Sequence, residues 1–83
     1  MSELQDDNAP VRTVDLTGEV CPMTTMKARV HLAQITVGQV LEFIVKEGEQ
    51  MRDVPLSIKQ DGHRIEKVRR EGERFHVFVR KGA

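Results

Sequence analysis

Apolar and polar positions alternate through residues 11–16 (VRTVDL), with Val14 and Leu16 on one side, and this period of two predicts a strand. The polar loop Thr17-Gly18-Glu19-Val20 follows. Pro22 suits the first position of a helix, because the N–H it lacks would be unpaired there anyway. Met23, Met26, Val30 and Ala33 then recur at helical spacing and are expected to form the buried stripe, with Lys27, Arg29, His31 and Gln34 outside. Gly38 breaks this helix. Residues 40–45 (VLEFIV) are the most apolar run and predict a central strand. After a turn at Gly48, Met51, Val54 and Ile58 are spaced for a second helix. Pro55 interrupts it early, so it is expected either to start at Val54 with Asp53 as its cap or to kink near Pro55. Asp61-Gly62 ends it, Gly62 being free to take the left-handed conformation. Residues 64–70 and 74–81 flank Glu71-Gly72-Glu73, a hairpin signal. Phe75, Val77 and Val79 alternate inward, and Phe78 falls on the other side with His76 and Arg80.

The element order is therefore βαβαββ. It predicts an α+β fold, a two-layer sandwich of a four-stranded mixed sheet with two helices on one face. The first strand–helix–strand unit should cross over right-handedly. Residues 1–10 read as a flexible N-terminal arm and residues 11–83 as one domain. With 83 residues the chain can build a core but has little room for a deep enclosed active site.

Composition narrows the function. Without Trp or Tyr, and with three Phe, platforms for stacking bases or sugars are nearly excluded. A single cysteine cannot form an internal disulfide, which fits a reducing compartment. No apolar run approaches a membrane span, and MSELQDDNAP is acidic and polar without a signal-like core, so a cytoplasmic protein is expected. Net charge is zero but uneven: residues 1–50 hold four Lys/Arg against eight Asp/Glu, and residues 51–83 hold nine against five. The basic end reads either as solvated strand faces or as a patch for an acidic partner or RNA.

Cys21 stands at the strand-to-helix junction immediately before Pro22. As an N-cap its side chain would accept hydrogen bonds from the free N–H groups of the first turn, next to the positive end of the helix dipole. Both effects favour the thiolate, the nucleophilic form. The competing reading is a buried structural cysteine. The polar loop before it and the proline-started helix after it tip the balance to a reactive thiol. His31 follows ten residues on, roughly 15 Å along a helix, too far for a catalytic base. His63 and His76 belong to the distal end of the chain. One Cys and three scattered His match no zinc spacing, and Thr24 stands where a CxxC pair would have its second cysteine. No metal and no cofactor is expected. What remains is an exposed thiolate that can accept an atom from one protein and hand it to another.

Leu16-Thr17-Gly18-Glu19-Val20-Cys21-Pro22 resembles the opening motif of the TusA/SirA family of sulfur carriers. Gly38-Gln39-Val40-Leu41 is similar to that family's turn into its second strand, and Arg52-Asp53-Val54-Pro55 to the start of its second helix. Gly62-His63 and the closing Val79-Arg80-Lys81 also fit, so the likeness spans about residues 11–81. It implies a two-layer βαβαββ sandwich similar to the C-terminal domain of bacterial initiation factor three. It implies a carrier that takes sulfane sulfur as a persulfide on Cys21, from a cysteine desulfurase or a rhodanese-like donor, for a downstream acceptor in tRNA thiolation, cofactor synthesis or sulfur oxidation. Pro22 matches the first proline of the Cys-Pro-x-Pro motif, and Thr24 replaces the second. Such a protein is expected to be a monomer and a relay rather than a stand-alone catalyst.

Pro22, Met23 and Thr24 would then form the helix end that supports the thiolate, Thr24 restoring an N–H that proline lacks. Glu19, Lys27, Arg29 and Arg52 are the candidate partner-binding residues, because sulfur transfer needs an interface around Cys21. Two other functions compete. One is a non-catalytic protein- or RNA-interaction module on the basic hairpin, disfavoured by the scarce aromatics and zero net charge. The other is a stand-alone sulfurtransferase acting on thiosulfate, for which no cation-lined pocket is evident.

Overall fold

The computed structural model describes residues 10–19 and 23–82. In chain order it contains β1 (Arg12–Asp15), α1 (Met23–Ala33), β2 (Val40–Lys46), α2 (Glu49–Gln60), β3 (Arg64–Glu71) and β4 (Arg74–Arg80). The four strands form one mixed sheet in the order β1-β2-β4-β3, with β1 parallel to β2 and the other pairs antiparallel. The expected βαβαββ order is observed, and residues 40–46 do supply an interior strand.

The core lies between one sheet face and both helices. Val14 and Leu16 from the first strand region join Leu41, Phe43 and Val45 of β2 and Val77 and Val79 of β4. Ala28 and Leu32 of α1 and Val54 and Ile58 of α2 close over them. Strand alternation explains this: every second residue points at the helices.

Two expectations are corrected. The stripe assigned to the core of α1 is the wrong one. Thr24, Ala28 and Leu32 are buried, whereas Met23, Met26, Val30 and Ala33 are exposed. Helical spacing fits both sets equally, because apolar residues sit on opposite sides of this helix. The second correction concerns α2, which starts at Glu49, well before Val54. Gly48 makes the entry turn at φ +103°, a conformation open chiefly to glycine. The helix then runs through Pro55, since burying Val54 and Ile58 outweighs the local penalty of proline. Its end is as expected. Gly62 has φ +91°, its N–H donates to Lys59 O, and the His63 N–H donates to Ile58 O.

The helix-free sheet face carries interleaved charges of both signs. Arg80 pairs with Glu66 at 2.9 Å, and the His76 ring lies between Glu42 and Glu71, at 2.5 and 2.9 Å. A bulge between Ile65 and Lys67 places Lys67 opposite Phe78, with its ammonium 5.6 Å from the ring centre. Such a face lacks the uniform positive field that a nucleic acid would need.

Candidate functional site

Val20, Cys21 and Pro22 lie outside the described residues, and so does the proposed N-cap. The loop before them is described up to Glu19. The Leu16 N–H donates to Ile44 O at 2.8 Å, continuing the sheet. The carboxylate of Asp15 then accepts from the Thr17 N–H at 2.9 Å and the Thr17 hydroxyl at 2.6 Å. These two bonds, the hydroxyl's first, hold the Asp15 carboxyl below its ordinary value of 3.8. The Glu19 N–H closes the turn on Leu16 O at 3.1 Å.

A residue that the sequence reading passed over anchors this loop from the other helix. The Gln50 amide Nε2 donates to Leu16 O and to Glu19 O, both at 2.9 Å, and its Oε1 accepts from the Lys46 N–H at 2.8 Å. One side chain in the first turn of α2 thus ties together the end of β2 and the loop two residues short of Cys21. A glutamine in a first turn carries no such message in sequence, because its partners are backbone groups 31 and 34 residues away.

The same end of the molecule holds a cleft of about 270 Å³, lined among others by Glu19, Thr24, Glu47, Glu49, Gln50 and Asp53. Thr24 is 2 % exposed, and its hydroxyl oxygen has no hydrogen-bond partner among the described residues. The candidate partner-binding charges are each engaged within the chain. Lys27 pairs with Glu19 at 2.7 Å, Arg29 with Asp61 at 2.7 Å, and Arg52 with Asp53 at 3.0 Å.

The three histidines are engaged away from this cleft. His31 Nδ1 lies 3.0 Å from Arg12 Nη1. His63 Nδ1 accepts from the Gly82 N–H at 3.1 Å, and His76 sits between its two carboxylates on the open sheet face. No group of three or more His, Asp or Glu among the described residues could hold a metal ion. No helix among them is long and apolar enough to cross a membrane.

Comparison with known proteins adds a direct result. The family model described as Sulfurtransferase TusA matches residues 12–81. The Sulfur carrier protein TusA of Allochromatium vinosum is 29% identical over 68 residues, which cover 82% of this chain and 90% of that one. The protein of the same name from Pseudomonas entomophila is 30% identical over 71 residues, covering 86% and 89%. The crystal structure of the SirA-like protein of Desulfitobacterium hafniense superposes with a TM-score of 0.73 at 20% identity, over 88% of this chain and all of that one. This last likeness is one of fold.

Proposed function

This chain belongs to the TusA sulfurtransferase family, and from that premise we propose that it is a sulfur carrier, holding sulfane sulfur as a persulfide on Cys21. The family match through the residues that flank Cys21 carries the reading. The anchored loop supports it, since a carrier thiol must be presented at a fixed place without being enclosed.

The chemistry needs no cofactor. The Cys21 thiolate attacks the outer sulfur of a donor protein's persulfide. A new S–S bond forms to Cys21, and the bond between that sulfur and the donor cysteine breaks. The electron pair leaves on the donor cysteine as a thiolate, and the proton stays on the transferred sulfur. Met23 and Thr24 open α1, and the dipole at this helix end would favour the thiolate. A cysteine desulfurase or a rhodanese-like protein is the donor class, and a second thiol protein the acceptor. A reducing compartment such as the cytoplasm suits a thiol of this kind.

The test is intact mass spectrometry after incubation with a cysteine desulfurase and cysteine. The expected gain is about 32 Da per sulfur in wild type and none in Cys21→Ser. Absence of any gain with a desulfurase, a rhodanese and inorganic polysulfide would overturn the reading.

A further inference from the structure

Helix α1 carries an apolar stripe that the fold does not use. Met26 and Val30 each stand two residues from buried Ala28, about 200° round the helix. Met23, Met26 and Val30 are 42%, 52% and 54% exposed. They form an i, i+3, i+7 row on the side of α1 opposite the core. The row begins two residues after Cys21. Basic residues were the expected docking elements at this end, but Lys27 and Arg29 are already held in ion pairs within the chain. The methionines and valine have no such internal use. Leaving them in water is unfavourable, and methionine adapts its shape to varied partners.

We propose that this outward row is the docking surface for the protein that loads Cys21, and that the partner presents an apolar patch of Leu, Ile, Phe or Met beside its own persulfide cysteine. The inference rests on the carrier reading above. The size of the row selects this occupant over a second copy of the chain. Three half-exposed side chains of this size offer on the order of 300 Å². A lasting interface buries about 800 Å² per partner, so the row suits a contact that forms and releases.

The experiment uses two sulfur sources on one variant, Met26→Gln/Val30→Thr, which removes apolarity without adding charge. Inorganic polysulfide reaches Cys21 without docking, so its loading rate should be unchanged. Loading by a cysteine desulfurase with cysteine should weaken by about tenfold, in apparent KM rather than in maximal rate, and the defect should persist at high salt. The control Leu56→Gln, on the outward side of α2, should load normally from both. Equal desulfurase loading in wild type and double variant would overturn the proposal. So would a wild-type dimer that the double variant dissolves in light scattering, because the row would then be covered by a second copy. Failure of the wild type to load from either source defeats the carrier reading itself, and is thereby told apart from failure of the docking surface.

Discussion

Helices α1 and α2 cover the same sheet face but differ in what they turn to solvent. Outside its buried Val54 and Ile58, α2 shows Arg52, Asp53, Lys59 and Gln60, with Leu56 the one large apolar side chain exposed. Helix α1 buries Thr24, Ala28 and Leu32 and exposes Met23, Met26 and Val30. The first pattern is that of a helix whose apolar side chains serve mainly to close a core. The second spends its apolar residues twice, once inward and once outward, and it does so on the helix that follows Cys21. The difference teaches that an amphipathic signal measures how one-sided a helix is, not how much it buries.

The largest effect should separate the two sides of α1. Leu32 is 1% exposed in the core cluster, so Leu32→Ala should cost about 2–5 kcal/mol of stability by chemical denaturation. Met26→Ala should stay within about 0.5 kcal/mol. Comparable losses at both positions would mean that the outward row is covered in the folded protein.

The next two predictions concern how α2 begins. Gly48 occupies φ +103° with ψ −133°, a region that side chains rarely enter, so Gly48→Ala should cost about 1–3 kcal/mol even though a methyl there meets no neighbour within 4 Å. Gln50→Ala removes three hydrogen bonds to backbone groups and should cost about 1–2 kcal/mol after water replaces part of them. Its sharper signature is local. Amide exchange should accelerate at Glu19 and in residues 16–19 while β4 stays protected. Uniform acceleration across the sheet would make Gln50 a general stabiliser instead of a loop anchor.

Much of this was legible in the sequence. The strands at β1, β2 and β4 and the stop at Gly62 follow from period-two alternation and from glycine where φ must be positive. The facing of α1 was not legible, because Met23-Met26-Val30 and Thr24-Ala28-Leu32 have the same helical spacing, and the larger residues look like the better core. Only tertiary packing decides, by burying Thr24, Ala28 and Leu32. The start of α2 was hidden because Pro55 and the Asp53 cap signal are local, whereas Gly48 and Gln50 answer to the end of β2 and the loop after β1. At the site, the residues around Cys21 were legible as a motif. Gln50 was not, since a side-chain amide bonded to remote carbonyls leaves no trace in spacing.

The smallest effect expected is a pH dependence carried by the last turn of α1. The last turn of α1 carries His31 where α2 has Lys59. Burial first, then the charges of Arg12 and Lys27, hold His31 below its ordinary value of 6.5. The geometry agrees, because the Arg12 guanidinium only donates, and its 3.0 Å contact with Nδ1 needs a lone pair there. The folded ring is therefore neutral, with its proton on Nε2. In the unfolded chain the ring takes a proton at the ordinary value, so below about 6.5 the unfolded state binds more protons than the folded one. The stability from this site is fully present above that pH and is lost as pH falls through the depressed folded value. Denaturation midpoints should drop on acidification across this window by more in wild type than in His31→Gln. The NMR titration of His31 should shift upward in Arg12→Leu but stop short of the ordinary value, because burial is the larger cause and remains. A titration unmoved by Arg12→Leu would show that the ring does not sense the guanidinium, although the two groups stand 3.0 Å apart.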